Sequence, residues 1–170
     1  MSPRHRTHPS PIGELTIVAE DEALTRVHMD AAKYRPQDAA IYGPAAGPDD
    51  GLLAAAVDQL EGYFRRELTT FDLPLAPHGD EFAQRVWGLL LQIPYGATTT
   101  YGALARKLGD PNLAQAVGRA NGHNPIAIVI PCHRVIGADG SLVGYAGGLD
   151  RKRFLLTLEE PSADHAGRLF

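Results

Sequence analysis

The stretch Ile126-Ala127-Ile128-Val129-Ile130-Pro131-Cys132-His133-Arg134-Val135 contains the only cysteine of the chain and decides how the second half is organised. Its first five residues are apolar and mostly β-branched, which predicts a buried strand over residues 126–130. Pro131 restricts the backbone just before the cysteine. The strand is therefore expected to end at Pro131, where the backbone is rigid, and to be followed directly by Cys132, His133 and Arg134.

A cysteine followed directly by a histidine is a candidate for an activated thiol, because a nearby base lowers the thiol pKa from its usual value of about 8.5. Glu159 and Glu160 are candidates for the carboxylate that orients His133. Successive strand residues point to opposite faces, so Cys132 and His133 need a water or a break in the strand to connect them. These residues alone fit either a cysteine hydrolase or an acceptor of alkyl groups.

The first half of the chain predicts a small α/β unit. Residues 11–30 predict a hairpin, and residues 33–50, rich in proline and glycine, predict a loop. Residues 51–68 place apolar residues on one helical stripe, with the pair Asp49-Asp50 as the N-cap candidates. Residues 69–79 read as a linker, so the domain boundary is expected there.

The second half predicts helices on both sides of the cysteine stretch. One helix starts after Asp80, and two short helices, about Thr100 to Leu108 and about Asn112 to Asn121, form a helix-turn-helix. Residues 135–143 predict a small hairpin in the position of a wing. A last helix is expected over Arg151 to Glu160, with these side chains inward: Phe154, Leu155 and Leu158.

Composition excludes several classes of protein. The 170 residues are 44% apolar and 21% charged, as in ordinary globular proteins. No apolar run reaches the roughly 18 residues that a membrane helix needs, and residues 1–9 predict no secretory signal. One cysteine excludes a disulfide framework and any zinc site with two thiolates, so we expect a cytoplasmic protein with no metal and no cofactor.

The charge is distributed unevenly along the chain. A net charge of −4 argues against a nucleic-acid-binding protein. Residues 1–79 hold 7 Lys or Arg against 12 Asp or Glu, whereas residues 80–160 hold 8 against 7. The second half is therefore close to neutral, which permits phosphate contacts without predicting them.

Around Cys132 the sequence resembles the O6-alkylguanine-DNA alkyltransferases, also called methylated-DNA–protein-cysteine methyltransferases. The resemblance is dense over residues 80–160 and rests on these segments: Ile130-Pro131-Cys132-His133-Arg134-Val135, Thr99-Thr100-Tyr101-Gly102, Ala116-Val117-Gly118, Asn121-Gly122-His123-Asn124-Pro125, and Gly144-Tyr145 with Gly147-Gly148 and Lys152. It implies a ribonuclease-H-like α/β domain over residues 1–78, a mostly α winged helix-turn-helix domain over residues 79–162, and a tail over residues 163–170.

The resemblance implies direct reversal of DNA damage. One alkyl group would pass irreversibly from O6 of guanine, or from O4 of thymine, to Cys132, after the base has left the duplex stack. His133 would take the thiol proton through a water, Glu159 would hold the imidazole, and Asn124 would brace the bend before the active site. The implied partner is double-stranded DNA, bound by a monomer that can cluster on it.

Further residues are implied to contact the substrate. Tyr101 would donate to guanine N3, and backbone groups of Cys132 and Val135 would hold the exocyclic amine. The remaining residues implied at the base are Tyr145, Gly147 and Lys152. The residues implied at the DNA minor groove are Leu113, Ala114, Gln115, Ala116, Gly118, Arg119 and Arg134.

Gln115 departs from the family pattern, which has an arginine here to take the place of the flipped base. Glutamine lacks the planar cation, and Arg119, one turn further on, is the candidate substitute. Leu113 also replaces a residue that is often small. Arg134 has an alternative role as a structural ion-pair partner.

Three other functions stay open for this sequence. A non-enzymatic lesion binder would lack the acceptor cysteine, which is present. A cysteine hydrolase would turn over many times. A helix-turn-helix regulator without chemistry would not be labelled by a benzylated guanine.

Overall fold

The computed structural model describes residues 2–160, and its first half is built on a three-stranded antiparallel sheet. The strands, in the order β1-β2-β3, are β1 (Pro3–Ser10), β2 (Gly13–Glu20) and β3 (Ala23–Met29). Helix α1 (Gly51–Phe64) packs on β1 and β2, and the Asp50 side chain accepts from Leu53 N at its start. The central strand β2 is buried along most of its length, and its apolar residues belong to one core that also includes residues of the second half.

Most predictions for the first half are confirmed. The predicted hairpin is β2–β3, and residues 33–50 are a loop apart from a short turn at Ala39–Ile41. Strand β1 was not predicted, because its polar residues show no apolar alternation; it lies at an edge of the sheet, where proline is tolerated. Helix α1 ends at Phe64, short of residue 68, since Arg66 adopts a left-handed φ of 62°.

The predicted linker over residues 69–79 runs beside β3. Leu24 N donates to Pro74 O at 2.9 Å, and Ala76 N donates to Leu24 O at 2.8 Å. The division at residue 78 stays a prediction, and both the end of the second predicted domain and the tail over residues 163–170 lie outside the described residues.

The second half is mostly helical. Its helices are α2 (Glu81–Leu90), α3 (Tyr101–Lys107), α4 (Ala114–Gly122) and α5 (Leu149–Glu159). Strands β4 (Thr99–Thr100) and β5 (Val135–Ile136) pair in parallel. Helices α3 and α4 are the predicted helix-turn-helix, joined through a single turn at Pro111–Leu113. None of the helices among residues 2–160 is long and apolar enough to cross a membrane.

The predicted strand over residues 126–130 is wrong. The segment is a buried turn in which Ile128 has a φ of 74°, and Ile130 N donates to Ile126 O at 3.0 Å. Its apolar β-branched residues are buried as expected, but Pro125 and Asn124 fix a turn that a strand could not contain. Only Ile126 makes a bridge, to Val27 of β3, and this bridge joins the two halves.

The predicted wing hairpin is also wrong. Strand β5 pairs with β4, and residues 142–143 form no strand. The Val143 carbonyl accepts from Lys152 Nζ at 2.8 Å and from the Tyr101 hydroxyl at 3.0 Å. These two side chains therefore occupy the carbonyl oxygen that would accept a backbone hydrogen bond in a hairpin. In α5, Leu155 is buried as predicted, but Phe154 is exposed.

Candidate active site

Cys132 lies in a single 3-10 turn, Cys132–Arg134, directly after the buried turn. This turn interrupts the extended backbone at Cys132. The side chains of Cys132 and His133 therefore need not point to opposite faces, as they would in a strand. The thiol is buried, and burial raises its pKa to about 11, while hydrogen bonding by Asn124 and the charge of Lys152 act in the opposite direction. At neutral pH the thiol therefore keeps its proton and needs a base.

His133 is completely buried and forms a hydrogen bond with Glu159. Its Nε2 lies 2.6 Å from Glu159 Oε2. A carboxylate only accepts, so Nε2 carries the hydrogen and Nδ1 holds the lone pair. Burial lowers the pKa of His133, although the carboxylate opposes this. The imidazole is therefore neutral at pH 7, and its buried Nδ1, with no partner among residues 2–160, is free to accept a proton.

Glu159 receives hydrogen bonds from three side chains. Besides His133, Tyr63 Oη donates to Oε2 at 2.6 Å, and Arg134 Nε donates to Oε1 at 2.7 Å. Burial raises the pKa of Glu159, but these hydrogen bonds outweigh it and lower the value to about 2. Of the two candidate carboxylates, Glu159 reaches His133, whereas Glu160 is exposed at the end of α5.

Two buried residues of this cluster were missed by sequence reasoning. Tyr63 comes from α1 in the other half of the chain, and a buried tyrosine on an aliphatic stripe was the only signal that its hydroxyl needs a partner. Asn121 of α4 donates from Nδ2 to Cys132 O at 3.3 Å. Asn121 therefore holds the Cys132–Arg134 turn directly, and Tyr63 holds the Glu159 carboxylate that His133 and Arg134 of this turn contact.

Arg134 faces the interior. Its Nη1 donates to Ile93 O at 2.7 Å, and its side chain is only 8% exposed. The guanidinium is thus fully engaged by Glu159 and Ile93, so the geometry favours the ion-pair role and does not offer Arg134 to DNA.

Asn124 closes the buried turn. Its Nδ2 donates to Ile130 O at 2.7 Å, and its Oδ1 accepts from Ile126 N at 3.0 Å. One amide therefore fixes both ends of the turn that leads from α4 to Cys132, which is the bracing position expected for it.

The residues expected at the substrate surround the cysteine. Lys152 is buried, and its Nζ donates to Val135 O at 2.5 Å and to Gly144 O at 3.2 Å, so it ties β5 to the loop before α5. Burial lowers the pKa of Lys152 to about 8. The Tyr145 hydroxyl is buried and has no hydrogen-bond partner within residues 2–160.

A groove runs between α4 and the loop before α5. The groove is lined by expected substrate and DNA residues: Tyr101, Ala114, Gln115, Gly118 and Tyr145. Gly148 also lines it, whereas Gly147 does not. A Cβ atom at Gly118 would lie 3.8 Å from the Tyr101 ring, which is an ordinary van der Waals contact, so glycine leaves space in the groove without being required there. Gln115 is exposed in the groove.

The other residues expected at DNA lie apart from this groove. Arg119 and Ala116 line a separate surface beside α2, so Arg119 does not share the position of Gln115. Leu113 is half-buried and packs against the core. Among residues 2–160, no group of histidine, cysteine and carboxylate side chains could hold a metal ion.

Comparison with known families and proteins places this geometry in context. Residues 4–77 match the ribonuclease-like domain of 6-O-methylguanine DNA methyltransferase, and residues 81–161 match its DNA binding domain. A methylated-DNA–protein-cysteine methyltransferase of Mycobacterium bovis is 52% identical over 94% of this chain and 93% of its own length. A protein of the same name from Methanosarcina acetivorans is 48% identical over 88% of this chain and 94% of its own length.

Solved structures agree with the sequence comparisons. The crystal structure of Mycobacterium tuberculosis OGT in complex with DNA has a TM-score of 0.84 and 52% identity, and the match covers 92% of each chain.

Proposed function

Since the chain belongs to the 6-O-methylguanine DNA methyltransferase family, we propose that Cys132 accepts the alkyl group from O6 of a guanine in DNA. Transfer of an alkyl group from DNA to a protein cysteine is also the activity in the names of its relatives. The observation that supports the assignment to this cysteine is the buried chain Cys132, His133 and Glu159. The same acceptor would take the alkyl group of O4-alkylthymine.

The protonation states of the three groups fit the transfer. His133 Nδ1 takes the thiol proton through a water, and Glu159 stabilises the imidazolium through Nε2. The thiolate then attacks the alkyl carbon: an S–C bond forms as the C–O bond breaks, and guanine leaves with the electron pair. The proton that His133 took from the thiol then passes to the leaving guanine, so that both groups end neutral. The thioether is stable, so each chain reacts once.

The remaining groups bind the flipped base. Tyr101 donates to guanine N3 as charge develops on the purine, which requires its hydroxyl to turn away from Val143 O. Backbone groups of Cys132 and Val135 hold the exocyclic amine, with Lys152 fixing β5 behind them. Tyr145 and Gly147 form the wall of the pocket. Asn124 and Glu159 act as positioning residues.

DNA is bound through α4 in the minor groove, where small residues let the backbone approach closely. Ala114, Gln115 and Gly118 line the protein groove along α4. Gln115 fills the space that the flipped base leaves in the duplex. We assign Leu113, Ala116 and Arg119 to DNA contacts outside that groove, with Ala116 and Arg119 on the surface beside α2. We propose a protein that is a monomer in solution, that clusters on DNA, and that acts in the cytoplasm.

Intact mass after incubation with DNA containing O6-methylguanine tests this function. We expect a gain of one methyl group per chain, located on Cys132 by peptide mapping. Cys132→Ala should stay unmodified and still bind the same DNA. Repeated turnover by one chain, or a methyl group on another residue, would contradict the proposal and favour a hydrolase or a different acceptor.

A further inference from the structure

Three buried side-chain polar atoms among residues 2–160 have no hydrogen-bond partner within the chain: Asn121 Oδ1, His133 Nδ1 and the Tyr145 hydroxyl. All three belong to residues around Cys132. Its carbonyl oxygen accepts from Asn121 Nδ2 at 3.3 Å, and Cys132 and Tyr145 line one cavity of about 190 Å³. A buried polar atom without a partner costs free energy, so such atoms are rare unless a bound molecule satisfies them. Their concentration at the acceptor residue indicates a bound molecule there.

The neighbouring groups fix what two of these atoms can do. A backbone carbonyl only accepts, so the amide nitrogen of Asn121 faces Cys132 O and the amide oxygen faces away from it. The Glu159 carboxylate also only accepts, so His133 carries its hydrogen on Nε2 and its lone pair on Nδ1. Asn121 Oδ1 and His133 Nδ1 are therefore both acceptors, and two acceptors cannot satisfy each other. They need a donor with two hydrogens.

The Asn121 amide and the His133 ring flank one peptide group, because the carbonyl that Asn121 contacts is the one joined to His133 N. Both residues are buried, and neither lines the groove along α4 or the cavity at Cys132.

The burial of both acceptors also limits the size of the donor. The flipped base and its alkyl group occupy the groove and the cavity, so they do not reach Asn121 Oδ1 or His133 Nδ1. A water molecule meets the requirements, since it is small, donates two hydrogen bonds and also accepts.

We propose that Asn121 is a positioning residue that holds the water through which the Cys132 proton reaches His133; the inference rests on the proposed alkyl transfer. The water donates one hydrogen to His133 Nδ1 and the other to Asn121 Oδ1, which leaves its lone pairs for the Cys132 thiol. As the thiol proton passes to the water, the water passes a proton to Nδ1, so thiolate and imidazolium form together. The bond to Asn121 Oδ1 is present before and after this step. Asn121 therefore orients the water without exchanging a proton.

A double-mutant cycle between Asn121 and His133 tests the inference. Asn121→Leu keeps a similar size without a polar atom, and single-turnover methyl transfer is measured with saturating DNA that contains O6-methylguanine. Asn121→Leu alone should slow transfer about tenfold, within the roughly 10²–10⁴-fold that a general base supplies. Without the imidazole the water has no group to pass its proton to. In the His133→Ala background, Asn121→Leu should therefore change the rate by less than about twofold.

The control is Thr25→Val, which also removes a buried side-chain donor to a backbone carbonyl. Thr25 Oγ1 donates to Val18 O at 3.5 Å, and Thr25 lies in β3, outside the groove and the cavity at Cys132. Thr25→Val should keep the transfer rate of the parent in both backgrounds. Loss of a buried polar group is then not enough by itself to slow the reaction.

The outcomes separate the two proposals. A parent protein that gains no methyl group on Cys132 would contradict the proposed function itself. Normal transfer by the parent and an unchanged rate in Asn121→Leu would overturn the water site. Slowing by the same factor in both backgrounds would also overturn it, because Asn121 would then act only through its bond to Cys132 O. If Asn121→Leu does not fold, Asn121→Ala is measured in the same cycle and should likewise lose its effect in the His133→Ala background.

Discussion

Tyr63 is the residue that joins the reactive cluster to the N-terminal domain. Its hydroxyl donates to the same Glu159 oxygen that receives His133 Nε2. The carboxylate therefore has donors from both domains, and its low pKa depends on all of them.

The hydrogen-bonded residues around Cys132, here called the relay and comprising Tyr63, His133 and Glu159, are predicted to affect the reaction unequally. His133→Ala should slow transfer by about 10²–10⁴-fold, the usual loss for a general base, while DNA affinity changes little. Tyr63→Phe should slow transfer much less but reduce the free energy of unfolding by about 1.5–3 kcal/mol, because a buried bond to a charge is lost. Single-turnover rates and denaturant unfolding measure both effects.

The control for the relay is Glu160→Gln, at an exposed neighbour of Glu159. It should leave the transfer rate unchanged, whereas Glu159→Gln should reduce it. A parental rate in His133→Ala would remove His133 from the reaction.

The pH dependence of transfer follows from the burial of His133. Burial lowers its pKa below the ordinary value of 6.5, so the neutral base persists as the pH falls through that value. With DNA at saturation, the rate should change little as the pH falls from 7.5 through 6.5. A rate that halves near pH 6.5 and keeps falling would mean that burial does not control this imidazole.

At the scale of elements, α4 presents Gln115 at the position where the resemblance implies an arginine. Gln115→Arg adds a planar stacking surface and a positive charge in a groove where DNA potential is negative. We expect tighter duplex binding, which weakens with salt, and faster repair in duplexes. The rate with free O6-benzylguanine, which needs no flipping, should stay nearly the same.

Paired rate constants for duplex and free base decide this prediction. If Gln115→Arg changes both rate constants by the same factor, Gln115 acts on the base pocket or on the stability of the fold and not on base flipping. No change in either rate would show that Gln115 does not fill the gap left by the flipped base.

Local signals predicted the helices and the contact of His133 with a carboxylate of the last helix, but not the turn that leads to Cys132. Asp80 and Thr100 cap α2 and α3 as their sequence positions indicated. The turn before Cys132 was predicted as a strand, because β-branched residues are buried in either state. Asn124, whose side chain bonds to both ends of the segment, and Pro125 fix the turn instead. Tyr63 could not be predicted as a partner of Glu159, since 96 residues separate the two.

At the scale of the whole molecule, the reaction should weaken the fold. A methyl group on buried Cys132 must be accommodated beside the turn that Asn124 fixes, and overpacking costs about 1–3 kcal/mol. For a chain of this length, we expect the melting temperature to fall by about 2–10 °C.

Calorimetry of the fully methylated protein measures this change, with complete reaction verified by mass. Cys132→Ala exposed to the same DNA is the control and should melt as it did before exposure. An equal or higher melting temperature for the methylated chain would mean that the pocket already has room for the added group.

The hydrogen bond from Tyr63 to Glu159 also constrains how this protein could recombine with its relatives. The extended segment over residues 69–79 is the obvious crossover point for a chimera, since it joins two recognisable domains. A donor domain without a hydroxyl at the position of Tyr63 would leave the Glu159 carboxylate one partner short, however well it folded alone. Exchange of the N-terminal domain therefore also exchanges a residue that holds the Glu159 carboxylate, although the reactive cysteine lies in the other domain.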